Sequence, residues 1–310
     1  MRALIIGGSG FIGRNLVQHL LTESAHVSVL DRVVDSTGNF KGSFFKGDSQ
    51  DPEFVLSALK AWQPDVVYHL AANSDISAGV TDASLDFGDT LMSTIAITQA
   101  CQRHRVSQIV FASSSAIFGQ VEGPIAESMD TFLVPESWYG KAKLASEYVL
   151  RSFASTNPEI GILITRFPNV VGSLATHGVI FDFVNKLRKN PNELRVLGDG
   201  HQEKPYVHVS ELVKGIEHFR VRLSPGETVC VNLGPVDTIT VRGIAQQVSE
   251  ALGVDPVTHY ESKPIGWVGD IPKYEFDSTL MRSSGFEVRL TSRQAVRQAA
   301  DELASEIGSE

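Results

Sequence analysis

Short apolar runs alternate with stretches of helical periodicity along the first half of this chain. Ala3-Leu4-Ile5-Ile6 predicts a buried strand, and apolar residues at Phe11, Ile12, Leu16, Leu20 and Leu21 predict a helix over 11–22. The alternation continues through strand runs at 26–30, 44–48, 66–71, 108–112 and 160–165. Between them lie predicted helices at 52–60, about 83–104 and about 139–156. Near-continuous apolar strands joined by helices specify a parallel sheet covered on both faces, because each crossover lays a helix over the sheet. After about Pro168 the rhythm breaks into Gly- and Pro-bearing segments, such as Asn190-Pro191 and Gly198-Asp199-Gly200, with pairs of short strands. The expected architecture is α/β: a doubly wound parallel sheet followed by a smaller C-terminal α/β domain. Because 229–233 reads as a strand returning to the main sheet, the first domain is expected to hold 1–168 and 206–236. The second is expected to hold 169–205 and 237–310.

Between the first strand and the first helix stands Gly7-Gly8-Ser9-Gly10-Phe11-Ile12-Gly13. Gly7 permits a tight turn, Gly10 lets a pyrophosphate approach the backbone, and Gly13 lets the helix lie close to the strand, so that phosphates meet helix N-terminal amides. The spacing is GxxGxxG rather than GxGxxG, and by itself it is equally an ordinary glycine-rich turn. Asp31, at the end of the next strand run, sharpens the reading to a Rossmann dinucleotide site. A carboxylate there accepts hydrogen bonds from the adenosine ribose hydroxyls and repels a 2′-phosphate, which favours NAD over NADP. Arg32, its neighbour, is the residue able to soften that preference.

A second constellation lies in the middle of the chain: Ser113-Ser114-Ser115, then Tyr139-Gly140-Lys141-Ala142-Lys143. Tyr139 and Lys143 are four apart on a predicted helix and project from one face. A phenol with a reference pKa of about 10 is a poor base near neutrality, but a neighbouring ammonium and a cationic nicotinamide favour the phenolate. Tyr139 is thus a candidate general base for a substrate hydroxyl. Standing alone, such a pair is more often a solvated helix face than a catalytic one.

The 310 residues carry a formal net charge of -9, which disfavours nucleic acid and anionic membrane surfaces as partners and leaves room for a local cationic pocket. Cys101 and Cys230 define neither a disulfide framework nor a metal site. His69, His177 and His208 lack partners at metal spacing and read as packing or hydrogen-bonding residues. Met1-Arg2 leads directly into the first strand and no run approaches a membrane span, so a cytoplasmic protein is expected.

These residues resemble the extended short-chain dehydrogenase/reductases, and within them the nucleotide-sugar epimerases, most closely the UDP-glucose (UDP-galactose) 4-epimerases. The resemblance runs through residues 7–13, His69-Leu70-Ala71-Ala72, Phe111 with Ala112-Ser113-Ser114-Ser115-Ala116-Ile117-Phe118-Gly119, and Tyr139 to Lys143. It continues through Arg166-Phe167-Pro168-Asn169-Val170-Val171-Gly172, His177-Gly178-Val179-Ile180, Leu197-Gly198-Asp199-Gly200, Tyr206-Val207-His208-Val209 and Gly266-Trp267-Val268-Gly269-Asp270. It implies bound NAD, a UDP-hexose substrate and a homodimer built on the 83–104 and 139–156 helices. Ser114, four residues before Phe118, takes the catalytic serine's place, with Ser115 the alternative, and would relay the sugar O4 proton to Tyr139. Lys143 would hold the nicotinamide ribose. The resemblance further places Gly7, Gly10, Phe11, Ile12, Gly13, Asp31, Arg32, Asp48, Ser49, Leu70, Ala71, Ala72 and Pro168 around the cofactor. Asn169, Val179, Lys204, Asp270 and Tyr274 would line the sugar nucleotide. The implied reaction oxidises C4, turns the 4-keto sugar in the pocket and reduces it from the other face.

Three positions depart from the family. Lys204 replaces a phosphate-binding arginine, exchanging a bidentate fork for a point charge. A second arginine expected before Gly269-Asp270 is missing, with Lys263 its nearest substitute, and Thr90 stands where a cofactor-side asparagine is usual. A 4,6-dehydratase needs an Asp-Glu pair after its catalytic serine or threonine, whereas Ser115-Ala116 follow Ser114 here. Tyr274 matches a position where bulk excludes N-acetyl sugars, so glucose and galactose are expected. The remaining alternatives are an NAD-linked nucleotide-sugar dehydrogenase or reductase, an epimerase of another sugar nucleotide, and a non-catalytic dinucleotide-binding scaffold or sensor.

Overall fold

In the computed structural model the described residues are 1–34, 42–73, 76–121, 123–129, 133–263 and 271–306. The apolar runs become strands β1 (Arg2–Ile6), β2 (His26–Asp31), β3 (Ser43–Lys46), β4 (Val66–His69) and β5 (Gln108–Ala112), with further strands at Gly161–Arg166 and Thr228–Asn232. They form one seven-stranded sheet in the order Thr228–Asn232, Gly161–Arg166, β5, β4, β1, β2, β3. Pairing is parallel from Gly161–Arg166 across to β3, with Ile5 opposite both Val29 and Tyr68, and Phe111 opposite Ile164. The chain runs outward from β1 to β3 and then returns to lay β4 on the other side of β1. That reversal opens a crevice at the carboxyl ends of β1 and β4, where open α/β sheets bind ligands.

Helix α1 (Phe11–Thr22) buries Gly13, Leu16, Val17 and Leu20. Helix α2 (Pro52–Trp62) starts where Asp51 accepts from the Glu53 and Phe54 amides with Pro52 at its first position, and it ends at Gln63 in the left-handed conformation. Between them the helices and sheet enclose Leu4, Ile6, Val55, Leu59, Val67, Ile97, Ile109, Phe111, Leu150, Ile162 and Ile164. Each such side chain, moved from water to this interior, contributes about 1.5–3 kcal/mol.

The predicted helix at 83–104 is in fact three pieces: Ala83–Asp86, a π turn at Phe87–Met92, and Ser93–Arg103. A π turn widens the helix by one residue, and such bulges gather at functional sites. Here polar residues face inward along it, with Asp86, Thr90, Ser93 and Thr94 all fully buried.

Contacts divide the chain into two compact units: Met1–Ile117, Ser137–Arg166 and Ile216–Val231 in one, and Phe118–Glu136, Phe167–Gly215 and Asn232–Glu310 in the other. Segments 118–136, 167–168, 206–215 and 232–236 thus group with the second unit by contacts, whereas the sequence pattern assigned them to the first. Short-strand pairing is the reason: Pro124–Ile125 runs parallel to Glu275–Phe276, and Tyr206–His208 parallel to Asn169–Val171. Within this second unit the helices Val179–Lys189, Val241–Leu252 and Ser292–Glu306 pack through Phe183, Val184, Leu187, Ile244, Val248 and Val296. Ala295, Ala299 and Ala300 lie buried in the same core and keep the last helix narrow on that side. Among the described residues no helix is long and apolar enough to cross a membrane.

Ile162 is fully buried in a central strand, whereas Val257, on a short strand of the second unit, is 63% exposed. Ile162→Ala is expected to lower unfolding free energy by about 2–5 kcal/mol, and Val257→Ala by less than about 0.5. Urea denaturation followed by circular dichroism checks the contrast.

Candidate active site

The turn after β1 is built for close approach. Gly7 has φ +85°, and a Cβ there would lie 2.6 Å from the Ala71 nitrogen; a Cβ on Gly13 would lie 2.3 Å from the Gly7 carbonyl oxygen. Only glycine fits either position. At Gly10 a Cβ would meet nothing nearer than the Gly7 oxygen at 3.4 Å, and Gly10 begins α1 without any side-chain cap. The space over the helix N-terminus is thereby left to a ligand, and its dipole favours an anionic one.

Asp31 ends β2 beside this turn. Its Oδ2 accepts the Ser9 amide at 3.0 Å and its Oδ1 the Val33 amide at 3.1 Å, so the carboxylate is fixed in place. Asp48, after β3, accepts the Gln50 amide at 2.9 Å, and the Ser49 hydroxyl accepts from Ser93 at 2.8 Å. Leu70, Ala71 and Ala72 follow β4, with the Leu70 amide bonded to the Ile6 carbonyl at 2.9 Å. These residues fit the adenosine and pyrophosphate of a dinucleotide: a fixed carboxylate for the ribose, backbone approach for the phosphates and a cradle that any side chain would fill. Arg32, the residue able to soften the preference for NAD, is bonded to Asp89 at 2.7 Å.

Ser114, Tyr139 and Lys143 come together at the end of β5. Helix Trp138–Thr156 starts where the Ser137 hydroxyl accepts the Gly140 amide, which puts Tyr139 and Lys143 in its first turns. The Ser114 and Tyr139 side chains are hydrogen-bonded. Lys143 is only 2% exposed, donates from Nζ to the Ala112 carbonyl at 2.6 Å, and sits 4.9 Å from the Phe111 ring centroid and 5.6 Å from that of Tyr139. Burial pushes the ammonium down to about 7, against the attraction of Glu147 and Asp86.

Without a cofactor's positive charge the phenol is protonated near neutrality. Burial drives Tyr139 up to about 12, the Ser114 hydrogen bond opposes the rise, and the Asp86 charge adds to it.

Beneath this cluster lies a buried ion pair that the sequence reading missed. Arg166 donates to Glu147 from Nε at 3.0 Å and from Nη2 at 2.7 Å, and the Ser113 hydroxyl donates to the same carboxylate at 2.5 Å. Arg166 and Glu147 are each 1% exposed. Glu147 lies four residues beyond Lys143 on one helix, and that spacing was the available signal. His69 completes the floor, its ring 5.1 Å from Phe111 and its Nε2 2.8 Å from the Thr94 hydroxyl; burial and the nearby Lys143 push it down to about 3. It is a neutral packing residue, as its sequence context indicated. Asp86, bonded by Asn73 at 3.0 Å and raised chiefly by burial, is a further acid that no motif announced. The hydroxyl of Thr90 is buried with no hydrogen-bond partner among the described residues.

The remaining sequence-predicted residues belong to the second unit. Asn169 lies in a strand opposite Tyr206, and Pro168 packs against Gly234. Val179 opens its helix after Gly178, Lys204 pairs with Ile239, and Tyr274 is 6% exposed with its ring 5.9 Å from Phe276. Asp270 falls outside the described residues.

Three comparisons bear on this geometry. The NAD dependent epimerase/dehydratase family matches residues 3–232. A UDP-glucose 4-epimerase of Streptomyces lividans is 29% identical over 273 residues, covering 81% of this chain and 80% of that protein. A solved UDP-galactose 4-epimerase superposes with a TM-score of 0.86 at 32% identity, covering 99% of this chain and all (100%) of the other. The UDP-glucose 4-epimerase of Thermus thermophilus in complex with NAD gives 0.86 at 27%, with 98% and 99% covered.

Lys143 carries a folded-state pKa of about 7 against 10.5 unfolded, so between those values the unfolded chain binds the extra proton and stability rises with pH. The cost of the buried charge is fully present below pH 7. Lys143→Met is therefore expected to be more stable than the parent protein at about pH 6, with the gap closing toward about pH 10 at up to about 1.4 kcal/mol per unit. Urea midpoints for the two ligand-stripped proteins across that range measure it.

Proposed function

This chain belongs to the NAD dependent epimerase/dehydratase family, and from that premise we propose that it is a nucleotide-sugar 4-epimerase acting on UDP-glucose and UDP-galactose with tightly held NAD. The observation that carries the reading is the hydrogen-bonded Ser114–Tyr139 pair beside a buried Lys143, in the same unit as a glycine cradle and a ribose-facing carboxylate. NAD, when bound, supplies the oxidant for C4 and a cationic ring whose field favours the phenolate. Ser114 takes the sugar O4 hydroxyl and passes its proton to Tyr139, then returns it when the 4-keto sugar is reduced on its other face. Lys143 in its protonated form, held by Ala112 with Glu147 opposing the loss of its charge, stabilises the phenolate and orients the nicotinamide ribose. Gly7, Gly10, Phe11, Ile12 and Gly13 receive the pyrophosphate, while Asp31, Asp48, Ser49 and residues 70–72 receive the adenosine.

In the second unit Asn169, Val179, Lys204 and Asp270 hold the sugar nucleotide, with Pro168 beside the nicotinamide. Lys204 supplies a point charge to the diphosphate, and Tyr274, buried against Phe276, excludes N-acetyl sugars. Elimination is disfavoured because the short turn Ser115–Ile117 offers no carboxylate after Ser114. Two copies pair through the helices Ser93–Arg103 and Trp138–Thr156, the second of which carries the exposed Tyr148, and the enzyme works in the cytoplasm.

Purified protein incubated with UDP-galactose and no added cofactor is expected to form UDP-glucose without net NADH. Tyr139→Phe should lose about 10²–10⁴-fold in turnover while retaining bound NAD. Anion-exchange separation of the UDP-hexoses, with acid release of the nucleotide, measures both; undiminished turnover in Tyr139→Phe would remove Tyr139 from the proton path.

A further inference from the structure

The end of β2, the turn after β3 and the π turn at Phe87–Met92 meet in one cluster whose hub is Asp89. Its Oδ2 accepts from Arg32 Nη2 at 2.7 Å, and its Oδ1 accepts from Gln50 Nε2 at 3.2 Å. A second tie, from Ser93 to Ser49 at 2.8 Å, fastens the same turn to the same helical stretch. The Asp89 side chain is 18% exposed and that of Arg32 55%, so the carboxylate is the enclosed partner and the guanidinium reaches back to it. Arg32 is held above its ordinary basicity by Asp89 foremost, against partial burial, with Asp48 and Asp31 adding to the effect. One carboxylate thus holds the guanidinium, and Asp48 and Asp31 add to the negative field around it.

We propose that Asp89 is a determinant of dinucleotide selectivity: by engaging Arg32 it denies the adenosine end the guanidinium that a 2′-phosphate would need, so that NAD is taken and NADP refused. The inference rests on reading this unit as the dinucleotide site. An arginine beside the ribose-binding carboxylate is the group a 2′-phosphate recruits, because its planar fork matches phosphate oxygens. Here that fork is committed. To turn to a phosphate, Arg32 must break a charge-assisted bond and leave Asp89 with the Gln50 amide alone. Asp31 cannot turn aside to make room, since both of its oxygens hold backbone amides. Selectivity on this account belongs to an acidic set that reaches across three loops, of which Asp31 is one member.

The test is competitive loading. Nucleotide-stripped protein is equilibrated with equimolar NAD and NADP, gel-filtered and denatured, and the released nucleotides are resolved by ion-pair chromatography. The parent protein should release almost only NAD. Asp89→Asn, which keeps shape and loses charge, is expected to raise the NADP-to-NAD ratio by about tenfold or more, equivalent to about 1.4 kcal/mol. Adding Arg32→Ala to Asp89→Asn should abolish that gain, because the gain comes from the released guanidinium and not from lost negative charge. Glu53→Gln, which removes an exposed carboxylate paired with Arg103, controls for net charge and should leave the ratio unchanged.

An unchanged ratio in Asp89→Asn, a gain that survives Arg32→Ala, or an equal gain in Glu53→Gln overturns the proposal. Loss of both nucleotides from Asp89→Asn does so too, since Asp89 would then hold the pocket together rather than select. A parent protein that releases neither nucleotide refutes the dinucleotide reading itself, which is a separate outcome.

Discussion

An ammonium group with almost no water around it is the constraint on which the first unit depends. Lys143 can stay there only because the Ala112 carbonyl accepts a hydrogen bond from it, the Phe111 face lies under it and Glu147 supplies opposing charge one helical turn away. Each of those supports needs its own. Ala112 is the last residue of a central strand, so its carbonyl is positioned by the sheet. Glu147 is itself buried and is satisfied by Arg166, which ends the neighbouring strand, and by Ser113. Burying an ion pair of this kind contributes little net stability, whereas removing one partner alone costs about 3–5 kcal/mol. The network is better understood as a device that fixes a charge next to a phenol than as a source of stability.

The same logic of fixed charge governs the other end of the crevice. There the selectivity proposed above asks for discrimination between ligands that differ by one phosphate, and the carboxylates available for it have oxygens already held by backbone amides and side chains. Preorganisation of this sort costs nothing at the moment of binding, because no dipole has to turn. The π turn that carries Asp89 also carries Thr90 and follows Asp86, so one local irregularity presents several polar side chains along one stretch of helix.

Much of this was legible in the sequence. Continuous apolar runs located every strand of the main sheet to within a residue or two, because strands covered on both faces are apolar along their length. The glycine turn and Asp31 were legible for a different reason: close backbone approach restricts residue choice so severely that the spacing carries the geometry. What escaped was polar and buried. Glu147, Arg166, Asp86 and Asp89 look like solvated charges in a sequence, since their partners are distant along the chain and burial of a charge leaves no periodic trace. The π turn escaped because inserting one residue does not erase helical periodicity over so short a span. The burial of the Tyr139 phenol escaped as well, because its spacing from Lys143 reports that the two share a helix face and says nothing of how far either is withdrawn from water.

The central claim is that this enclosed cluster moves a proton at O4 while C4 is oxidised and reduced without exchange with water. UDP-galactose deuterated at C4, incubated with the protein in ordinary water, tests it most directly by mass spectrometry of the sugar products. Full retention of deuterium at C4 in the UDP-glucose formed is the result the structure predicts. Wash-out of the label into solvent would mean that C4 loses a proton rather than a hydride, and the roles given to Ser114, Tyr139 and Lys143 would be wrong.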